Sequence, residues 1–357
     1  MLLIGFQSYD SNMYPHLQCV IDRMAVERDL TYFHFRERGY FTLHMSRQPS
    51  RLRKAVIAAA ALATSAVDLL KLWRMRRRHE VVMAIDHYAY AIASAVFGDR
   101  KVILWSHDII GPDSANYHHR FVQRFMNACG RALRRNRRVV VQSAPRLGLL
   151  RESLQLDECE LDVFMMPVCL DGIGAAVREL SSAARPRLLQ SGGIGAYRCS
   201  DRLLSHYQEN FQRYRLYFHG FVFKEIHEQL ARCKVQPMVS ARAVSPKVLH
   251  QLSDFCDIGF VCYEDADDRN FFLIAHASGQ LVEFLRIGMP VIVMGKNDLP
   301  QFVREHRVGV AIGDLSELNA AISAIAGDYR GYSENCLECF NQVFDSDRYV
   351  PRMSQWL

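Results

Sequence analysis

The residues most able to do chemistry stand together in Ser278-Gly279-Gln280-Leu281-Val282-Glu283-Phe284-Leu285-Arg286-Ile287-Gly288-Met289-Pro290. Ser278 suits a helix N-cap, and Gly279 lets a ligand come close to the backbone. Gly288 stops the helix and Pro290 opens a buried strand. The free N–H groups of Gly279, Gln280 and Leu281, aided by the helix dipole, suit a diphosphate. Glu283 follows Gly279 by four residues and so shares its face, where a carboxylate can accept hydrogen bonds from vicinal ribose hydroxyls.

A second constellation is Leu188-Leu-Gln-Ser-Gly192-Gly193-Ile-Gly195-Ala-Tyr-Arg198. Its glycines permit a turn that side chains would block, and the Arg198 guanidinium matches phosphate oxygens in a fork. A third is Trp105-Ser106-His107-Asp108, where His107 ends an apolar run. Asp86-His87 ends another run, and Asp10 follows the first. The carboxyl ends of parallel strands are where such side chains gather. The plain readings are a solvated Glu283, an ordinary Ser278 cap, a surface Arg198 and a His107 satisfied by backbone. The acidic loop Glu264-Asp-Ala-Asp-Asp268 reads as solvated, and Cys336-Leu-Glu-Cys339 lacks the second ligand pair of a zinc site. No metal is expected.

The elements that must position these residues follow a repeated β-α rhythm. Strands are predicted near 2–6, 30–35, 81–85, 102–105, 138–142 and 163–166, with helices at 15–27, 53–78, 89–97, 118–135 and 144–154. After a mixed stretch from Pro167 to Pro186 a second series begins, with strands at 187–190, 216–219, 236–239, 258–262, 291–294 and 309–312. The pattern predicts an α/β protein of two doubly wound Rossmann-like domains facing a cleft. The domains are placed at 1–170 and 171–335. A helical segment, 336–357, is expected to pack back on the first.

These blocks resemble the GT-B fold glycosyltransferases, most closely the retaining class often called family 4. Asn270 with Ser278 to Ile292 looks like that family's donor-binding segment. Leu188 to Arg198 is similar to its glycine turn, with Arg198 at the basic position. Val139 to Ser143, Met166-Pro167-Val168 and Asp254 to Tyr263 fit its punctuation, and Trp105 to Asp108 looks like its first-domain strand end. The resemblance implies a metal-independent enzyme using a UDP- or GDP-linked sugar. Its donor would be bound on the second domain by Gly192, Gly193, Arg198, Ser278, Gly279, Gln280, Leu281 and Glu283. The acceptor would sit on the first domain, with His107 facing the transferred sugar. Arg198, Glu283, His107 and Asp10 are the candidate catalytic residues, Asp10 or His107 serving as base if the reaction inverts. Three places depart from the family pattern. Ala275 stands eight residues before Glu283 where an acid is common, Gly193 stands where an arginine is common, and Ser8, Tyr9 and Asp10 stand where a glycine-rich loop is common.

Size and charge fit this reading. The 357 residues are half apolar, enough for two cores, and ten scattered cysteines suit a reducing cytosol. The net charge of +6 is concentrated in clusters, among them Arg51/Arg53/Lys54, Lys71/Arg74/Arg76/Arg77/Arg78 and Arg131/Arg134/Arg135/Arg137/Arg138. Such clusters beside apolar helix faces suit peripheral contact with the anionic inner face of a membrane, and the relatives' lipid-linked acceptors agree with that. No nucleic-acid module is recognisable. The expected function is hexosyl transfer to a glycan or lipid-linked acceptor in surface polysaccharide or glycoconjugate synthesis. The alternatives are an epimerase or hydrolase of the same fold and a non-catalytic nucleotide-sugar-binding partner. Hydride transfer lacks the third glycine and the acid about 20 residues on.

Overall fold

The computed structural model describes residues 1–5, 15–35, 66–98, 102–114, 117–182, 185–241, 244, 246–264 and 268–357. Ser8, Tyr9, Asp10, Arg51, Arg53, Lys54 and the first part of the helix expected over 53–78 lie outside the described residues.

The chain forms two compact units. The first comprises Met1–Ser11, Asp22–Met166 and Met353–Leu357; the second comprises Asn12–Ile21 and Pro167–Arg352. The first unit holds strands β1 (Leu2–Gly5), β2 (Thr31–His34), β3 (Val82–Ile85), β4 (Val102–Trp105), β5 (Arg138–Val141) and β6 (Asp162–Met165). They form one parallel sheet in the order β2-β1-β3-β4-β5-β6. Its helices include the part of α1 (Pro15–Glu27) from Asp22 onward, α2 (66–75), α3 (Asp86–Phe97), α4 (Arg120–Asn136) and α5 (Ala144–Leu154), while the part of α1 before Asp22, with His16, belongs to the second unit. Only the last residues of the C-terminal segment join this unit: Trp356 packs on Phe164 and donates from Nε1 to Asp162 at 2.9 Å.

The second unit holds β7 (Arg187–Ile194), β8 (Arg215–Val222), β9 (Met238–Ser240), β10 (Ile258–Cys262), β11 (Val291–Met294) and β12 (Gly309–Ile312). Their order is β12-β11-β10-β7-β8-β9, again all parallel. Both faces of this sheet are covered, so its strands read as unbroken apolar runs. Alternate residues go to opposite cores: Leu189, Val261, Val291 and Val293 pack with Phe284, Phe302 and Phe344. Leu188, Phe260 and Ile292 pack with Tyr207, Tyr214 and Ile322 on the other face.

β7 and β8 each run to eight residues and are longer than their apolar runs. This corrects the expected glycine turn: Gly192 and Gly193 pair with Gly220 and Phe221 as strand residues, and the chain turns only after Ile194. Glycine is needed there for space as well as freedom. Gly192 sits at φ +90, and a Cβ on Gly193 would fall 1.9 Å from the Tyr197 hydroxyl.

Candidate active site

In open α/β sheets, ligands bind beyond the carboxyl ends of the strands, where the strand order reverses. In the second sheet that point lies between β7 and β10. The turn after β7 carries Arg198, and β10 ends at Cys262-Tyr263. The two meet: the Arg198 guanidinium carbon lies 3.6 Å from the centroid of the Tyr263 ring, a cation–π contact. Arg198 Nη1 donates to Gln280 Oε1 at 2.9 Å, and Gln190 Nε2 donates to the Arg198 carbonyl at 2.7 Å. Arg198 Nε is buried with no acceptor.

Gln280 belongs to α6 (Gly279–Arg286), whose N-terminus therefore adjoins the guanidinium. Among the described residues, the N–H groups of Gly279 and Gln280 have no acceptor. Gln280 Nε2 is buried without a partner, 3.6 Å from where a Cβ on Gly192 would stand. A cation, two open amides and a helix dipole thus converge at one place, which can hold a diphosphate.

Two residues expected to bind there are committed elsewhere. The Ser278 hydroxyl is fully buried, accepts the Leu281 N–H at 3.2 Å and pairs with the Tyr263 hydroxyl at 2.9 Å. Leu281 lies in the core with its N–H so used. Their part is to fix the helix start; capping of this kind is worth about 1 kcal/mol.

Glu283 is buried, one turn further along α6. Its Oε2 accepts from Arg286 Nη2 at 2.7 Å, and its Oε1 has no partner. Burial pushes its carboxyl above the usual carboxylate range, against the Arg286 guanidinium, which pulls it down. An unpartnered buried carboxylate oxygen is costly, and a ligand hydroxyl would satisfy it. Ala275 is buried, and its N–H donates to Asp298 Oδ1 at 2.8 Å.

Sequence reasoning missed Gln190, Tyr263, Arg286 and His16. Gln190 and Tyr263 carry a faint signal, as polar atoms at the ends of apolar strands. His16, on α1, lies against Gly279, with its Nδ1 3.3 Å from a Cβ placed there. Burial lowers its pKa to about 4, so the ring is neutral near pH 7.

In the first sheet the order reverses between β1 and β3. Asp86 follows β3 there at φ 62, a left-handed conformation that costs a non-glycine residue about 1 kcal/mol. Its Oδ1 accepts from the His107 N–H at 2.6 Å and the Asp108 N–H at 2.9 Å. Burial and the neighbouring Asp108 charge raise its carboxyl to about 7. His107 follows β4 as expected, with its ring tilted against Trp105.

One group of possible metal ligands occurs among the described residues: Cys199, Cys262 and Glu264, with ligand atoms within 4.8 Å of one another. Glu264 is already paired with Arg202. Cys336 and Cys339 are buried, and the Cys336 thiol donates to the carbonyls of Met289 and Val308. No helix among the described residues is long and apolar enough to cross a membrane.

The family model described as "Glucosyltransferase 3-like, C-terminal domain" matches residues 203–353. No curated protein sequence matches the chain. Among solved structures, Anabaena HepE in complex with UDP and glucose is similar over 99% of this chain and 98% of its own, at 17% identity and a TM-score of 0.70. Sucrose-phosphate synthase from Thermosynechococcus elongatus is similar over 100% and 98%, at 12% identity and a TM-score of 0.70. Trehalose-6-phosphate synthase, OtsA, is similar over 99% and 98%, at 8% identity and a TM-score of 0.68. With its two parallel six-stranded sheets and these neighbours, the chain has the fold of the GT-B glycosyltransferases.

Proposed function

We propose that the protein transfers a hexose from a nucleotide-sugar donor to a glycan or lipid-linked acceptor. The observation that carries this is the Arg198–Gln280 contact, which sets a guanidinium beside the open amides at the start of α6, one turn before the unpartnered oxygen of Glu283. This arrangement fits a nucleoside diphosphate: phosphates at Arg198 and the amides of Gly279 and Gln280, ribose hydroxyls at Glu283. HepE was solved with UDP-glucose, which favours a UDP-linked donor.

Breaking the sugar–phosphate bond leaves negative charge on the diphosphate. Arg198 and the helix amides stabilise that charge more in the transition state than in the ground state. Their positive charge is the reason no metal is required in this reading. His107 contacts the transferred sugar. The outcome is retention: the acceptor attacks from the side of the leaving group, and a phosphate oxygen takes its proton. Asp10 or His107 is the base if the reaction inverts.

The first unit faces the acceptor, and we place the protein in the cytoplasm, at the membrane's inner face, acting in surface polysaccharide or glycoconjugate synthesis. Support comes from α2 and the turn after it, where Val67, Leu70 and Trp73 are exposed beside Lys71, Arg74, Arg76, Arg77 and Arg78. Arg134 and Arg135 add exposed charge at the end of α4.

A second reading, a nucleotide-sugar-binding partner without turnover, is favoured by Ala275, which places a buried methyl group where the family commonly has an acid. A thermal-shift screen with UDP, GDP, ADP, CMP and their sugar conjugates, followed by nucleotide-release assays, separates the two. Binding raises the melting temperature in both, and only the enzyme releases nucleotide. No shift with any nucleotide rules out the donor site.

A further inference from the structure

Cys199 and Cys262 are fully buried, and both belong to the core on one face of the second sheet. Two other buried thiols are satisfied by the backbone: Cys129 donates to the His87 carbonyl at 2.8 Å, and Cys336 to those of Met289 and Val308. Cys199 and Cys262 instead face each other and share a hydrogen bond. Glu264, two residues beyond Cys262, brings a carboxylate oxygen to the pair, and the three ligand atoms lie within 4.8 Å of one another. The main chain holds Glu264 there, since its N–H donates to the Tyr197 carbonyl at 3.1 Å.

A fourth group fills the junction. Arg202, on the helix Ser200–Asn210, pairs with Glu264 and hydrogen-bonds Cys199. A guanidinium thus stands where a cation would. Its side chain is 52% exposed and can turn out into solvent, and Glu264, 31% exposed, then opens the way in. Cys199 itself sits at φ 59, a left-handed backbone that costs a non-glycine residue about 1 kcal/mol and that glycine takes freely. A thiol held at a strained position points to a use for it.

Two thiols and a carboxylate at this spacing are the donor set of a thiophilic divalent ion. Tetrahedral zinc keeps such atoms about 3.5–3.8 Å apart, so closing the site moves each by about 1 Å at most. Magnesium and calcium take oxygen donors and would not compete for it.

We propose that Cys199, Cys262 and Glu264 form a zinc site, with water as the fourth ligand, that ties the turn after β7 to the end of β10. As the ion enters, each thiol gives its proton to solvent and Arg202 swings out. Tyr263 belongs to the core on the opposite face of the sheet, so the ion clamps the two segments from the side away from the Arg198–Tyr263 contact. Nothing in this depends on a nucleotide being bound.

The test uses the full chain, kept reduced, with zinc followed by calorimetry and cobalt(II) by absorption. The wild type binds one zinc ion, and cobalt gives a thiolate-to-metal charge-transfer band. Cys199→Ser and Cys262→Ser each lose the band and weaken zinc by at least about a hundredfold. Glu264→Gln keeps the band and weakens zinc by about tenfold. Arg202→Ala binds zinc about fivefold more tightly, because the competing guanidinium is gone. An ion held elsewhere would not respond to Arg202. Cys339→Ser, at the other close pair of cysteines, leaves zinc affinity within about twofold. Should Cys199→Ser not fold, Cys199→Gly replaces it, because the left-handed backbone favours glycine.

The inference is overturned if the wild type binds no zinc, if the cobalt band survives the loss of either Cys199 or Cys262, or if Cys339→Ser removes it. Zinc binding that is indifferent to Arg202→Ala also overturns it.

Discussion

The Arg198 guanidinium lies over the Tyr263 ring at 3.6 Å and holds Gln280 at 2.9 Å, joining the ends of β7 and β10 to the start of α6. A cation fixed in this way is pre-organised for an anion, and little freedom is left to lose when the ligand arrives.

Removing it should therefore weaken nucleotide binding directly. In Arg198→Ala, UDP affinity measured by calorimetry falls by about tenfold to a hundredfold, the worth of a charge-assisted hydrogen bond. Arg198→Lys recovers part of this, because an ammonium keeps the charge but not the fork. An unchanged affinity in Arg198→Ala would remove the residue from the phosphate site.

Glu283 must be ionised to accept two ribose hydroxyls, and Arg286 opposes the burial that favours its protonated form. In Arg286→Met the carboxyl rises further. UDP binding then weakens most at low pH and recovers as pH rises through the carboxyl's new value. The wild type shows the same trend less steeply. In Glu283→Ala the trend disappears, and 2′-deoxy-UDP binds as well as UDP. Parallel pH profiles for all three proteins would rule out the pairing as the control on ribose recognition.

Asp86 carries a stability signature of its own. Its carboxyl is raised to about 7 in the fold, so between the ordinary aspartate value and 7 the native state binds more protons than the unfolded state. Its contribution is fully present at pH values below the ordinary aspartate value and is lost as pH rises through 7. The charges acting on it are those of Asp108, which raises it, and Arg146, which lowers it, and the backbone N–H groups of His107 and Asp108 donate to it. Buried histidines such as His16 and His87 have lowered pKa values and give the opposite slope, so the test is a difference: chemical denaturation from pH 4 to 8 should show the stability of the wild type relative to Asp86→Asn falling across this window. A variant that keeps the wild-type slope would assign it to another group.

The membrane proposal predicts binding to vesicles of phosphatidylglycerol mixed with phosphatidylcholine, and weakening by salt. Each basic residue near such a surface is worth about 1 kcal/mol, so reversing Arg74, Arg76 and Arg77 to glutamate should reduce binding by at least about tenfold. Trp73→Ala should weaken it at every salt concentration, because its contribution is apolar burial. Co-sedimentation measures both, and a triple variant that still sediments like the wild type would exclude this face.

Much of the architecture was legible before any coordinates. Helices Pro15–Glu27 and Ala144–Leu154 and strands Ile258–Cys262, Val291–Met294 and Gly309–Ile312 have the bounds their periodicity predicts. Periodicity is local, and a covered parallel sheet writes each strand as one apolar run. It failed at β7 and β8, where Ser191 and Gly192 pair with His219 and Gly220 and carry both strands past their first apolar runs to Ile194 and Val222.

The candidate site divides along the same line. The cap at Ser278 and the face shared by Gly279 and Glu283 depend on spacings of one to five residues along one helix, and a helix repeats its geometry wherever it occurs. Strand order and register decide everything that joins distant segments. Arg198 meets Tyr263 because β7 and β10 are neighbours, and Arg146 reaches His107 because α5 follows the strand beside β4. Local apolar patterning is nearly the same for every buried parallel strand, so it cannot say which strands will lie side by side. That choice, made by packing of each whole sheet, sets Arg198 against Tyr263 and Arg146 against the His107 carbonyl.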